Sequence, residues 1–390
     1  MAAESARKFE ALEAQAATLL DVFRRGGYEQ VAPSIIQPAD IFLDQIGEAI
    51  RGRTYVFTDL TGEELCLRPD LTVPVSRLYL ERHPYADVEA RYCYNGPAFR
   101  FQQRGASKTH PREFRQAGIE CFGVPDRDNA DAEVVLLAAD AVRSAGLKEF
   151  RFRFGDIALF YSLLDVLSLP ERWRLKLRHY FWRPPAFHTL LSRLAKGESS
   201  DSDGPVAGLA ATLGAQDPSR AEELVANYLE TNDLPLSGNR TLGEITERLL
   251  DHAADLRAEP LPREVATIID YYLAVDASPR EAIDRIATTG QGAGIDLGPA
   301  LYVLSRRFDL LEERGINVGS ASFATAFGRD LEYYSGLVFQ IEVGGDKASP
   351  IAGGGRYDGL LRSVGAPAEV PAVGSAVHTE RLLASVGGLS

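Results

Sequence analysis

Three polar side chains with complementary chemistry, Arg100, Gln116 and Glu120, lie on two segments that are predicted to be β-strands. Side chains alternate between the faces of a strand, so Gln116 and Glu120 share one face of EFRQAGIECF, with Gly118 between them. If the segment AFRF pairs with this strand, Arg100 joins the same face. A guanidinium binds carboxylates, while an amide and a carboxylate accept hydrogen bonds from nitrogen donors. The set suits an amino acid, although ordinary salt bridges on a solvated sheet face are at least as good an interpretation.

Two other segments carry candidate side chains. LRPDLT places Asp70 and Thr72 after a strand, where the pair could hold an ammonium group or simply cap the next segment. GRDLEYYSGLVFQ places Arg329 before Tyr333 and Tyr334, which suit a ring that also forms hydrogen bonds or an ordinary aromatic core. The Gly-rich AGGGRYDGLL matches neither GxGxxG nor GxxxxGKS, so it indicates a phosphate site only weakly.

Composition limits the function classes. The 390 residues carry a formal net charge of −13, and nucleic-acid binding usually needs a basic face, so tRNA or DNA is not favoured as a partner. Cys66, Cys93 and Cys121 form no CxxC, and the histidines are scattered, so we expect buried thiols rather than disulfides or a metal site. No apolar run approaches the roughly 20 residues that span a bilayer, and the N-terminus does not read as a signal peptide. We therefore expect a cytoplasmic protein.

Strands, rather than helices, carry the polar clusters. An amphipathic first helix is followed by a β-rich block, then by a block with helical periodicity, and finally by a second β-rich block. This order predicts an α+β fold with an antiparallel sheet flanked by helices, rather than a doubly wound sheet. We expect a core made of residues 1–161 and 316–390, with an α-helical insertion at residues 162–315.

The motifs occur together and in an order that resembles the catalytic domain of histidyl-tRNA synthetase, a class II aminoacyl-tRNA synthetase. The resemblance rests on TYVFTDLTGEELCLRPDLT, FRFQQ, REFRQAGIECFG, DAEVV, RDLEYYSGLVF, AGGGRYDGL and VGSAVHTERL. It covers roughly residues 27–160 and 320–383, while the helical middle matches only as an insertion. The resemblance implies the antiparallel sheet of the class II synthetase fold.

The resemblance also implies a histidine-binding pocket. Asp70 and Thr72, helped by Gln116, stand where the family holds the amino group of the substrate. Arg100 would face a carboxylate or phosphate, and Glu120 stands where the imidazole is read. The implied histidine-binding residues are Asp70, Thr72, Arg100, Gln116, Glu120, Arg329, Tyr333 and Tyr334, with Arg356 and Tyr357 as possible pocket lining.

The adenylating half departs from the synthetase pattern. Gln102 replaces the acid that normally meets the adenine, and His378 replaces a Gly that lets ATP approach the backbone closely. Phe114 and Arg381, which would sandwich an adenine, are present. We also expect no anticodon-binding domain, of about 100 residues, after the last helix.

These departures resemble the paralogous family of ATP phosphoribosyltransferase regulatory subunits, which act in the first step of histidine biosynthesis. This resemblance implies no catalytic residue, cofactor or metal, and L-histidine as a feedback-inhibiting ligand. It further implies a short-form catalytic subunit as partner and self-association as a dimer, with no nucleic acid or membrane partner. Two alternatives stay open: a stand-alone class II histidine-activating ligase, similar to histidyl-tRNA synthetase, and a scaffold whose pocket serves no ligand.

Overall fold

The computed structural model describes residues 5–44, 48–103, 105–107, 110–196, 209, 213, 220–232, 241–328, 332–344 and 349–387. Within these ranges, no helix has both the length and the apolar character needed to cross a membrane. The chain divides into two compact units, one made of Met1–Val166 with Tyr271–Ser390 and the other of Leu167–Asp270. The first unit contains the sheets that position the candidate residues.

Strands of the first unit form a large sheet and a small one. They are β1 (Glu29–Gln30), β2 (Ile36–Pro38), β3 (Tyr55–Thr58), β4 (Glu64–Leu67), β5 (Ala90–Phe99), β6 (Glu113–Phe122), β7 (Arg151–Asp156), β8 (Asp276–Ala277), β9 (Ser322–Ala324), β10 (Leu337–Glu342), β11 (Ala352–Arg356) and β12 (Ala372–His378). The large sheet has the order β1-β5-β6-β12-β11-β10-β7-β9-β8, and the small one has the order β2-β4-β3. Most neighbouring strands are antiparallel, the pairs β1–β5 and β7–β9 being parallel. This mostly antiparallel sheet with helices confirms the predicted α+β fold class.

Helices cover the sheet and form the middle of the chain. They are α1 (Ala6–Arg25), α2 (Ala39–Asp44), α3 (Glu48–Arg51), α4 (Thr72–Arg82), α5 (Arg127–Ser144), α6 (Ile157–Val166), α7 (Glu171–Tyr180), α8 (Pro184–Lys196), α9 (Ala221–Thr231), α10 (Leu242–Arg257), α11 (Arg263–Leu273), α12 (Pro279–Gly292), α13 (Gly298–Glu313), α14 (Leu360–Ser363) and α15 (Thr379–Ser385). The side chain of Ser5 caps α1 by accepting from the backbone N–H of Lys8, and α1 buries the predicted apolar stripe that includes Leu12 and Phe23. Helix α5 packs against β10, β11 and β12.

The second unit is helical and has its own small apolar core. Its core residues are Leu213, Ala221, Val225 and Leu249. The sequence predicts an insertion at residues 162–315, which is wider than the compact unit Leu167–Asp270. Helices α12 and α13 belong to the first unit, where Arg307 of α13 forms an ion pair with Asp156 of β7.

Candidate functional site

A cavity of about 530 Å³ lies over the large sheet, above one row of paired residues. The row crosses five strands and consists of Gly118, Ala376, Gly353, Gln340 and Arg153. Directly paired residues point to the same face of a sheet. Gly118, Ala376 and Gly353 therefore leave their part of the floor with no side chain larger than a methyl group, and Gln340 of β10 with Arg153 of β7 forms the wall at the other end of the row.

Several residues around this floor must be glycine, because a Cβ atom at these positions would collide with neighbouring atoms. A Cβ at Gly118 would lie 2.4 Å from the carbonyl oxygen of Ser375, and one at Gly354 would lie 2.0 Å from that of Gly374. A Cβ at Gly374 would lie 1.6 Å from Oε2 of Glu120. These distances exclude any larger residue without rearrangement, so the Gly-rich segment AGGGRYDGLL serves close packing beside the cavity.

The structure brings most of the residues predicted from the sequence to this one cavity. Those that line it are Asp70, Thr72, Arg100, Gln116, Tyr333, Tyr334 and Tyr357. Glu120 lies directly behind this lining, while Arg356 points away from it. Arg329 lies outside the residues that the structure describes.

Glu120 is fully buried and is held by three hydroxyl groups. Its Oε1 accepts from the hydroxyls of Thr72, at 2.8 Å, and Tyr94, at 2.9 Å. Its Oε2 accepts from the hydroxyl of Tyr357. Burial raises the pKa of Glu120 to about 8, although the three hydroxyl donors lower it. When Glu120 is ionised, these hydroxyls donate their hydrogen bonds to its carboxylate. The hydroxyl oxygens of Thr72 and Tyr357 can then act only as acceptors toward the cavity.

This arrangement changes the expected contact between Glu120 and a ligand. The resemblance implies that Glu120 itself reads an imidazole, but its side chain is covered by the residues that donate to it. A ligand N–H group in the cavity therefore meets the oxygen of Thr72 or Tyr357, which Glu120 orients.

Two acceptors in the cavity wall have no hydrogen-bond partner among the described residues. Asp70 stands at the start of α4, where its Oδ1 accepts from the backbone N–H of Val73 at 3.2 Å, while its Oδ2 is buried and unsatisfied. The Oε1 of Gln116 is buried and unsatisfied as well. Burial raises the pKa of Asp70, and the guanidinium of Arg100 opposes that shift. Unsatisfied buried acceptors are costly, so these two oxygens suit a ligand with several N–H donors.

The aromatic ring of Phe114 is already contacted by other side chains of the cavity. The guanidinium carbon of Arg100 lies 5.0 Å from the ring centroid, and Nε of Arg100 donates to the carbonyl of Pro69. The imidazole of His378, the last residue of β12, lies 5.0 Å from the same ring at an interplanar angle of 30°. An imidazole thus occupies space next to Phe114, where the synthetase pattern has a Gly in place of His378.

Arg356 differs from its expected place in the pocket. It belongs to β11 and alternates with Gly353, so its side chain points to the opposite face of the sheet, toward α5. There it lies 2.7 Å from Asp131 and 2.8 Å from Asp358. The physical reason is the alternation itself: the residues of β11 that face the cavity are glycines.

Sequence reasoning missed Arg153 and Gln340 as lining residues. The alternation in FRFRFGD predicts the strand β7, but the strands beside it follow only from pairings far apart in the chain. Arg153 pairs in register with Gln340, and Gln340 pairs with Gly353. The one signal in the sequence is that Arg151 and Arg153 share a polar face of that strand.

The cysteines are free and buried, as predicted. Burial raises the pKa of the thiols of Cys66 and Cys121 to about 12 and that of Cys93 to about 11. Such thiols are protonated and unreactive at neutral pH. Among the described residues, no group of three or more His, Cys, Asp or Glu side chains is placed to hold a metal ion.

Comparison with known proteins gives a consistent result. The family profile of histidyl-tRNA synthetase matches residues 4–197 and 254–382. An ATP phosphoribosyltransferase regulatory subunit of Mesorhizobium japonicum is 35% identical over 371 residues, which is 94% of this chain and 96% of that protein. The protein of the same description from Agrobacterium fabrum is 35% identical over 379 residues, or 95% of this chain and 96% of the relative.

Solved structures share the fold. A Bacillus halodurans protein described as an ATP phosphoribosyltransferase regulatory subunit/histidyl-tRNA synthetase has a TM-score of 0.68 at 20% identity, covering 99% of this chain and 81% of its own. A histidyl-tRNA synthetase from Nostoc has a TM-score of 0.61 at 15% identity, covering 97% of this chain and 73% of its own. The predicted fold, a class II synthetase-like antiparallel sheet, is confirmed.

Proposed function

Because this chain belongs to the family of ATP phosphoribosyltransferase regulatory subunits, we propose that its cavity binds L-histidine and that this binding inhibits the enzyme. The role of the chain in that enzyme is regulatory rather than catalytic. Its partner is a catalytic subunit of ATP phosphoribosyltransferase, which we propose to be of the short form. Histidine is the end product of the pathway, so the proposed inhibition is feedback.

The observation that carries the proposal is the pair of unsatisfied buried acceptors, Oδ2 of Asp70 and Oε1 of Gln116. The ammonium group of an amino acid supplies several N–H donors and a positive charge, which would satisfy both acceptors. Arg100 lines the cavity close enough to Asp70 to act on its pKa, and it is our candidate contact for the carboxylate. These groups support an amino acid as the ligand class.

The aromatic part of the cavity supports histidine in particular. The rings of Tyr333 and Tyr334 lie 4.9 Å apart, and Tyr333 lies 5.6 Å from Tyr357. An imidazole placed among these rings would donate its N–H to the hydroxyl oxygen of Thr72 or Tyr357. When Glu120 is ionised it accepts the protons of both hydroxyls, and that oxygen is then a good acceptor.

Inhibition requires that histidine bind differently to two states of the complex. The direct test is reconstitution with a short-form catalytic subunit, with activity measured against histidine concentration. We expect activity that depends on this chain and falls as histidine is added. Asp70→Asn should relieve inhibition, whereas Asp140→Asn, a half-exposed acid on α5 that does not line the cavity, should not. Undiminished inhibition in the Asp70→Asn complex would contradict the assignment of the cavity.

We also propose that the chain dimerises, through the small sheet. Ile36 and Phe57 lie on the same face of that sheet, with exposed fractions of 50% and 38%, although both are apolar. Apolar side chains gathered on one surface favour association. Light scattering should give the mass of a dimer for the wild type and a smaller mass for Phe57→Glu. We place the chain in the cytoplasm, which its three free thiols support and cell fractionation would test.

A further inference from the structure

We propose that the end of the cavity at β7 is a second subsite, in which Arg153 binds a small phosphate-type oxyanion that is separate from histidine. The proposal goes beyond the proposed function and does not depend on it. The subsite lies at the opposite end of the cavity from Asp70 and Gln116.

The cavity has room for more than the ammonium end of a ligand. From Gly118 to Arg153 the floor crosses four strand spacings, which at roughly 4.8 Å each amount to about 19 Å between the two Cα atoms. The volume of about 530 Å³ falls within the range of pockets that enclose drug-sized ligands. A free amino acid is smaller than such a ligand, so the two ends of the cavity can hold separate groups.

The guanidinium of Arg153 is incompletely paired. Its Nη1 is buried and has no hydrogen-bond partner among the described residues. Its Nη2 lies 3.3 Å from Asp276, whose side chain is 52% exposed, so that pair is long and screened by solvent. The guanidinium carbon lies 5.4 Å from the ring centroid of Phe327, which lines the same end of the cavity. Arg153 is therefore held in place with an N–H donor to spare.

The charges of the cavity as a whole favour an anion. Arg53, Arg100 and Arg153 line the cavity, whereas Asp70 is the one carboxylate among its described lining residues and stands, with Arg100, at the other end. Glu342 of β10 is engaged by Gln340, whose Nε2 donates to it at 2.6 Å. A cleft lined mainly by one sign of charge concentrates ligands of the opposite sign. Arg presents a planar fork that matches carboxylate and phosphate groups equally well.

The anion at Arg153 is not the carboxylate of histidine. The ammonium and carboxylate groups of an amino acid share one carbon, so a histidine whose ammonium lies at Asp70 and Gln116 keeps its carboxylate at that end of the cavity, beside Arg100. The full-length chain is titrated calorimetrically with L-histidine and with inorganic pyrophosphate. Each titration is repeated with Arg153→Gln and with Arg151→Gln, an exposed Arg on the same face of β7 that does not line the cavity.

Pyrophosphate should bind the wild type, and Arg153→Gln should weaken that binding about tenfold or more while leaving histidine binding unchanged. Arg151→Gln should behave like the wild type in both titrations. The proposal is overturned if Arg153→Gln binds pyrophosphate as the wild type does.

A wild-type measurement keeps the proposal testable even if Arg153→Gln does not fold. Absence of pyrophosphate binding to the wild type would overturn the subsite. Failure of the subsite is distinct from failure of the proposed function. Histidine binding without pyrophosphate binding sinks the subsite alone, whereas pyrophosphate binding without any histidine binding supports the subsite and sinks the proposed function.

Discussion

Two buried polar clusters lie on opposite faces of the large sheet, and they differ in whether their charges are paired. On the face covered by α5, Arg307 lies 2.9 Å from Asp156, and Arg356 lies 2.7 Å from Asp131. On the cavity face, Asp70 forms no ion pair within 4 Å among the described residues, and its Oδ2 is buried without a hydrogen-bond partner there. The first cluster neutralises its own charges, while the second leaves that task to a ligand.

This difference separates residues that hold the fold from residues that bind. Removing one member of a buried ion pair leaves an uncompensated charge, so the cluster under α5 should be sensitive to mutation. The cavity already bears the cost of unsatisfied groups, so changes there should affect binding more than folding.

Arg307→Met should destabilise the protein by about 3–5 kcal/mol, because it leaves Asp131 and Asp156 buried without this counter-charge. The free energy of unfolding in urea measures the effect. Arg306→Met is the matched control, since Arg306 is half exposed and its pair with Asp128 is 3.6 Å long. A change of less than about 1 kcal/mol in Arg307→Met would show that the paired cluster does not stabilise the fold.

Gly374→Ala should disrupt the cavity without changing any charge. The new methyl group would lie 1.6 Å from Oε2 of Glu120 and must displace it, at a cost of roughly 1–3 kcal/mol. Histidine binding, measured by calorimetry, should weaken as the hydroxyls of Thr72 and Tyr357 lose their orientation. Gly292→Ala, where a Cβ meets nothing within 4 Å, should leave binding unchanged. Normal histidine affinity in Gly374→Ala would contradict the role of Glu120 in orienting the hydroxyls that contact histidine.

The pH dependence of stability should reveal Glu120 itself. Burial raises its pKa to about 8 in the folded chain, against about 4.3 in an unfolded one. The folded state thus holds this proton more tightly, and the associated stability is complete below about pH 4 and is lost as the pH rises to about 8. Glu120→Gln should flatten the fall in unfolding free energy between pH 5 and 8, whereas Glu113→Gln, exposed on the same strand, should not. An unchanged slope in Glu120→Gln would contradict this shift.

The sequence predicted the parts of the site that depend on local pattern. Alternation along EFRQAGIECF placed Gln116 on one face with Gly118, and LRPDLT placed Asp70 directly after a strand. Both residues line the cavity. Arg153 was missed because its place follows from the register of five strands that are distant in the chain, which no local pattern contains.

Arg356 and Glu120 also differ from their expected places in the pocket. The alternation of AGGGR turns Arg356 away from the cavity, and this could have been read from the strand period once the strand was assigned. The burial of Glu120 behind other side chains, in contrast, could not have been predicted from the strand period. It depends on hydroxyls of Thr72, Tyr94 and Tyr357, which come from three separate segments and meet only in the folded chain.

The most direct test of the account is a calorimetric titration of the chain with L-histidine, compared between the wild type and Asp70→Asn. The account predicts saturable binding to the wild type and an affinity lower by roughly tenfold to a hundredfold in the variant, or about 1.4–2.8 kcal/mol. The variant should be at least as stable as the wild type, because it removes a buried carboxylate whose pKa is raised by burial. Equal histidine affinities in a folded variant, or no binding to the wild type, would contradict the conclusion that the unsatisfied groups of the cavity bind histidine.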